Sequence, residues 1–200
     1  METTLEDSLL KLESYENVFK DLFVKMLDPE KTALYSFDQI AIAVMDRSLS
    51  VIFGFTSHIR EDNFICAGAL LRLHLDSLLR FHAAFIVEDQ QEFSMKVLKG
   101  ERIDLMLDKN GKKMSDAYLS KALTKEYPWV KGIYERSSGF IHFSSEHIFQ
   151  SSRLKENENI EHSISKRDRY IPMSMKEEVI DYMIDITKLL NNYIVQWISS

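Results

Sequence analysis

Apolar side chains recur at three- and four-residue steps along most of this chain, which is the period of an α-helix packed on a core by one face. The first run follows Thr3 or Thr4, either of which can cap a helix, and it ends near Asp28-Pro29. Its apolar members are Leu5, Leu9, Leu12, Phe19, Leu22, Phe23 and Met26. This pattern predicts one amphipathic helix over the first part of the chain.

Further helices are predicted along the chain as far as Tyr134. One opens at Ser36, and the next follows Asn63 and is the most hydrophobic, so we expect it at the centre of the fold. Shorter helices are expected over about 88–98, from Ser115 or Asp116 to Leu123, and from Tyr127-Pro128 onward.

The pattern changes after His147 and becomes helical again near the C-terminus. Apolar residues alternate on both sides of a polar run, Lys155 to Asn159, which predicts a β-hairpin or ordered flap over about 147–170. Ser174-Met175-Lys176-Glu177 has the form of a capping box before a last helix whose stripe reaches Trp197. The sequence therefore predicts an all-α fold: a single domain over 1–200, a bundle of about five long helices with a short hairpin or flap before the last.

Composition agrees with this fold and limits the function. The chain has 200 residues, of which 45% are hydrophobic and 28% charged, and this excludes a disordered chain. Six glycines and three prolines are too few for the many turns of a β-sandwich. The single Cys66 excludes an internal disulfide framework and a cysteine-rich zinc site.

Charge and hydropathy indicate where the protein acts. Twenty-five basic and 31 acidic residues give a net charge of -6, which argues against a protein that coats nucleic acid but not against a local basic site. The acidic N-terminus lacks the basic region of a signal peptide. Charged residues and histidines interrupt the longest apolar stretch, 64–87, so we expect no membrane span and a cytoplasmic protein.

One short segment carries most of the functional signal. Arg136 is followed by His142 after five intervening residues. This spacing resembles the R-x(4–6)-H motif of the HEPN superfamily, and the resemblance covers about the last two-thirds of the chain. The resemblance implies an all-α, usually dimeric protein, often a metal-independent ribonuclease of a toxin or phage-defence system. Catalytic members commonly have Asn, Asp or His where this chain has Ser137, which leaves a non-catalytic member as an alternative.

The chemistry implied for such a pair needs no metal or cofactor. RNA cleavage requires a base for the 2′-OH proton and an acid for the leaving oxygen, and His142 would serve because histidine titrates near neutral pH. Arg136 would hold the scissile phosphate. The implied partners are RNA, a second copy in a homodimer, and a cognate antitoxin or defence-system protein.

Helical geometry limits how the pair can meet. Six steps along a helix turn about 240°, so the two side chains would lie about 120° apart and about 9 Å along the axis. Either Ser137-Ser138-Gly139 loosens the helix, or two copies share the site across a twofold axis. The competing interpretation gives Arg136 an ion pair with Glu135 or Asp116 and makes His142 a core or interface residue.

Other polar residues complete the candidate site. Arg72, Asp76 and Arg80 recur every four residues, either as surface ion pairs or as a stripe facing the Arg136–His142 region. Arg72, Arg80, Ser137 and His147 are the predicted substrate-binding residues. We predict no metal site, because His142, Glu146 and His147 lack zincin spacing.

A basic group lies around the predicted hairpin. Its members are Arg153, Lys166, Arg167 and Arg169, and such a flap could follow a phosphate backbone. Four acidic residues interleave with them, so a solvated surface is the default interpretation.

Overall fold

The computed structural model describes residues 4–27, 34–141, 145–155 and 159–199, and helices make up 71% of it. The all-α bundle with one small hairpin is therefore confirmed. The helices are α1 (Leu5–Glu13), α2 (Tyr15–Met26), α3 (Ser36–Arg60), α4 (Phe64–Ala83), α5 (Gln90–Leu98), α6 (Asp116–Thr124), α7 (Trp129–Ile141), α8 (Ser145–Gln150) and α9 (Met173–Ile198). The strands are β1 (Ser152–Leu154) and β2 (Ile160–His162), and a 3-10 turn covers Ile103–Leu105.

Helix α4 lies at the centre of the bundle, as its hydrophobicity predicts. It packs against α3, α6, α7 and α9, and the side chains of Leu71, Leu75, Leu78 and Leu79 are fully buried. A side chain of this size contributes about 1.5–3 kcal/mol when it leaves water. The core therefore forms around one helix that has neighbours on several sides.

Helices α4 and α7 approach closely at a glycine. A Cβ built on Gly68 would lie 2.7 Å from Cγ of Phe140 and 3.0 Å from its Cβ, closer than packed carbon atoms can be. The Phe140 ring also meets the ring of Phe64 edge-on, with centroids 5.5 Å apart. Gly68 thus provides the space that seats the C-terminal half of α7 on α4.

Two local predictions about helix ends are wrong. The expected single N-terminal helix is divided at Ser14, whose hydroxyl donates to the carbonyl of Lys11 at 2.7 Å and competes with the backbone pattern. The expected capping box at Ser174 does not form, because the N-cap of α9 is Pro172, two residues earlier, and no side chain caps the helix. The cap of α1 is Thr4, one of the two predicted residues.

The predicted hairpin is present as β1 and β2. These strands are antiparallel, and Leu154 pairs with Ile160. The segment after the hairpin is attached to the turn between α3 and α4: the amide of Asp168 donates to the carbonyl of Asp62 at 2.7 Å, and the Asp168 carboxylate accepts from the amide of Phe64. The flap is therefore bonded to the start of the central helix.

The close contact of α4 and α7 predicts a large cost for Gly68→Ala. The added methyl group would overlap Phe140 at its ring and its Cβ, so we expect a loss of about 1–3 kcal/mol in the free energy of unfolding, measured by urea denaturation. The matched control is Gly132→Ala on α7, where a Cβ meets nothing within 4 Å. That variant should be as stable as the wild type or gain up to about 1 kcal/mol. Equal effects of the two substitutions would contradict the packing described.

Candidate functional site

Arg136 lies on the face of α7 that points toward α9. Its guanidinium donates to the carboxylate of Glu178, and its side chain is 41% exposed. Tyr182, one turn further along α9, donates to the same carboxylate oxygen at 3.0 Å. Burial and this hydrogen bond raise the pKa of Tyr182, so its proton stays in place. The ion-pair partner of Arg136 is thus Glu178, not Glu135 or Asp116.

Helix α7 is regular through the segment that was expected to loosen it. Ser137, Ser138 and Gly139 all lie within the helix, which ends at Ile141. The hydroxyls of Ser137 and Ser138 donate to the carbonyl of Tyr134, an arrangement that helices accommodate. The loosened-helix explanation is therefore wrong for 137–139. Ser137 is also buried against the core, so its hydroxyl does not face a ligand at the surface.

The histidines of the motif region are only partly described. His142, the second member of the predicted pair, lies outside the described residues, as do Phe143 and Ser144. His147 lies half-buried on α8.

Arg72 and Arg80 both bond to Asp116, the first residue of α6. Arg80 donates to Asp116 and also to Asp76, 3.3 Å away, and Arg72 lies 3.7 Å from the other Asp116 oxygen. The guanidinium carbon of Arg72 is 5.0 Å from the ring centroid of Tyr134 on α7, a cation–π contact. The stripe thus makes helix-surface ion pairs, and through Arg72 it also reaches the helix that carries Arg136.

An open hollow of about 250 Å³ lies beside the end of α7. Arg72, Leu73 and Asp76 of α4 line it together with Ile141, the residue immediately before His142. Arg136 does not line it, because it turns toward Glu178 on α9 instead. Within one copy the structure therefore places the Arg72 hollow and the Arg136 guanidinium on different sides of α7.

Comparisons with known proteins add no identification. No protein-family model, no curated protein and no solved structure matches the chain. Function must accordingly be argued from the residues themselves.

Three partners of the candidate residues were not predicted from the sequence. Glu178 and Tyr182 lie on α9, more than 40 residues after Arg136, and no local pattern marks such a distant partner. The sequence predicts Tyr134 only as part of a helix. Its seven-residue distance from Ile141 is the one available signal, because residues seven apart share a helix face.

The two histidines of α4 belong to the core. Nε2 of His74 lies 3.0 Å from the hydroxyl of Thr187, and Nδ1 of His82 lies 2.8 Å from the hydroxyl of Tyr193. Burial lowers the pKa of His74 to about 3 and that of His82 to about 4. Both rings are neutral at physiological pH and tie α4 to α9.

The structure also bears on metal binding and on membrane insertion. Within the described parts of the chain, no group of three or more His, Cys, Asp or Glu side chains is placed to hold a metal ion. Of the helices described, α3 alone is long and apolar enough by composition to cross a membrane. Several of its residues, among them Phe37, Phe55 and Ile59, are buried against other helices, as in a core helix.

The ion pairs of Asp116 predict a measurable contribution to stability. Asp116→Asn removes the charge that both arginines share, and we expect the free energy of unfolding to fall by about 1 kcal/mol. The matched control is Glu92→Gln, which also changes a first-turn carboxylate but affects only the exposed pair with Lys96. Its effect should stay within about 0.5 kcal/mol in the same urea titration. A control as costly as Asp116→Asn would refute a special role for Asp116.

The buried histidines predict that stability falls in mild acid. Each ring binds a proton near pH 6.5 when unfolded but only near pH 3–4 when folded, so protons favour the unfolded chain between these values. Between pH 6.5 and about 5, each histidine should cost up to about 1.4 kcal/mol per pH unit. His82→Gln should reduce this slope, measured by urea denaturation across the pH range. The exposed His162→Gln serves as control, and an equal change of slope in both variants would contradict the assignment.

Proposed function

We propose that this protein is a HEPN-like, metal-independent endoribonuclease of the cytoplasm, belonging to a toxin–antitoxin or phage-defence system. Arg136 holds the scissile phosphate, and His142 is the general acid or base. No metal or cofactor takes part in this scheme. RNA is the substrate, and a cognate antitoxin or defence-system protein is the expected regulator.

The observation that carries the proposal is the position of the Arg136 guanidinium. Its side chain is 41% exposed on the bundle surface. His142 follows it six residues later in the sequence. Only one of the Arg136 nitrogens is bonded to Glu178, so N–H groups remain for a phosphate. A charged donor held by a carboxylate is oriented before substrate arrives, which favours stabilisation of the transition state.

The geometry of α7 supports a site shared between two copies. The helix is regular from Arg136 to Ile141, so the segment 137–139 does not turn the two side chains together. In a homodimer, Arg136 of one copy and His142 of the other would act on the same phosphate. Arg72 in the hollow beside Ile141 would then contact the substrate next to His142.

The second candidate function is a non-catalytic helical module that dimerises or binds a protein partner. The ion pairs of the arginines favour it, because Arg136 is bonded to Glu178 and Arg72 and Arg80 are bonded to Asp116. In that case these arginines hold the helices together, and Ser137 reflects a motif that has lost catalysis.

The decisive experiment is cleavage of labelled RNA in the presence of EDTA. Wild-type protein should cut, and His142→Ala should cut at least about 100-fold more slowly, because general acid–base catalysis commonly contributes this much. Arg136→Ala should also be impaired, since the phosphate loses its charged donor. The control is His162→Ala, which removes an exposed histidine from β2 and should cut like the wild type.

Two results would reject catalysis by this pair. One is equal cleavage by wild type and His142→Ala, and the other is no cleavage by either. The second result favours the non-catalytic module, for which Arg136→Ala should lower stability without a change in RNA chemistry.

A further inference from the structure

An acidic groove of about 590 Å³ lies between α5 and the segment that follows it. Phe93 is buried in it, and Leu105 and Leu107 at its edge are 58% and 54% exposed. These two half-exposed leucines, two residues apart in sequence, form a small apolar surface at the edge of the groove.

The charges around this acidic groove are mostly negative. Its two cations are already engaged, because Lys96 pairs with Glu92 at 2.7 Å and Arg102 pairs with Asp104 at 2.6 Å. Glu88 and Glu101 line the groove, are exposed, and form no ion pair with a residue of the described chain. An occupant would therefore combine an aliphatic side chain with positive charge.

A segment of the same chain has that chemistry. The strap, residues 163–169, follows β2 and carries a fully exposed Ile164 together with exposed Lys166 and Arg169. Neither of these two cations forms an ion pair with a side chain that the structure describes. Ile164 is aliphatic like the two leucines of the acidic groove, and Lys166 and Arg169 are opposite in charge to its glutamates.

The strap is held in a fixed conformation by its other residues. Arg167 donates to Glu61 at 2.5 Å, and Asp168 is bonded through its amide to Asp62 and through its carboxylate to the start of α4. The side chains at 164, 166 and 169 remain exposed while the backbone stays anchored. Such preorganisation lowers the entropy lost on binding.

We propose that the strap of one copy docks in the acidic groove of a second copy. Ile164 lies against Leu105 and Leu107, and Lys166 and Arg169 face Glu88 and Glu101. In a twofold pair the contact forms twice, once in each direction. This inference concerns assembly through residues outside the Arg136–His142 segment, and its test does not use RNA cleavage.

Charge reversal on the full-length chain tests this contact. Sedimentation velocity over a range of protein concentrations should show self-association of the wild type that weakens with salt. Lys166→Glu with Arg169→Glu should weaken it about tenfold or more, and so should Glu88→Lys with Glu101→Lys. Ile164→Ser tests the apolar part and should act in the same direction. Circular dichroism establishes that each variant is folded.

Mixing the two charge-reversed proteins gives the sharpest result. The acidic strap of one variant then meets the basic groove of the other, so association should return in the mixture although each protein alone is impaired. The matched control reverses Lys11 and Lys25, two exposed lysines of α1 and α2, with the same change in net charge and no expected effect.

Four results would overturn the proposal. They are a monomeric wild type at every concentration, self-association that both variants retain, no recovery on mixing, and strap variants that lose RNA binding while their mass is unchanged. A monomeric wild type would also rule out a catalytic site shared between two copies. After any of the other three results, cleavage by Arg136 and His142 is still tested by the RNA-cleavage assay.

Discussion

The close approach of α7 to α4 at Gly68 is the constraint on which the candidate site depends. Phe140 occupies the space that a side chain at position 68 would fill, and its ring meets the ring of Phe64 edge-on. With the end of α7 fixed in this way, the rotation of the helix about its axis is also fixed. Ser137 is directed into the core and Arg136 toward α9.

The rotation of α7 separates the polar groups that the sequence would place in one site. Tyr134 and Ile141 face Arg72, whereas Arg136 faces Glu178 and Tyr182. Two polar regions therefore flank one helix, and each is joined to a different neighbour. A single phosphate would meet both regions if a second copy supplied one of them, which connects the packing of α7 to the proposed dimer.

Much of the architecture could be predicted from periodicity, because burial imposes the 3.6-residue spacing on each helix. The start of α3 at Ser36, the start of α4 after Asn63 and the central place of α4 follow from local sequence. The division at Ser14 does not follow from local sequence, because the apolar residues keep their helical spacing across it. Only the hydrogen bond of the Ser14 hydroxyl marks the change. The start of α9 was misplaced because Pro172 begins the helix before the predicted capping residue.

The candidate site was less predictable, since its contacts join distant parts of the chain. Arg136 and Glu178 are 42 residues apart, and Arg80 and Asp116 are 36 apart, and no spacing rule reports such pairs. Burial of Ser137 likewise depends on how α7 is rotated against α4, which one helix's own sequence does not specify. Motif spacing identified the segment, and packing decides which way each member faces.

The central claim is that Arg136 and His142 act on one phosphate across two copies of the chain. Mixing equal amounts of the Arg136→Ala and His142→Ala proteins tests it most directly, because a hybrid pair has one site with both residues intact. With random pairing, the mixture should recover about a quarter of the wild-type rate of RNA cleavage, although neither variant cuts alone. A mixture as inactive as its components, beside an active wild type, would contradict the shared site.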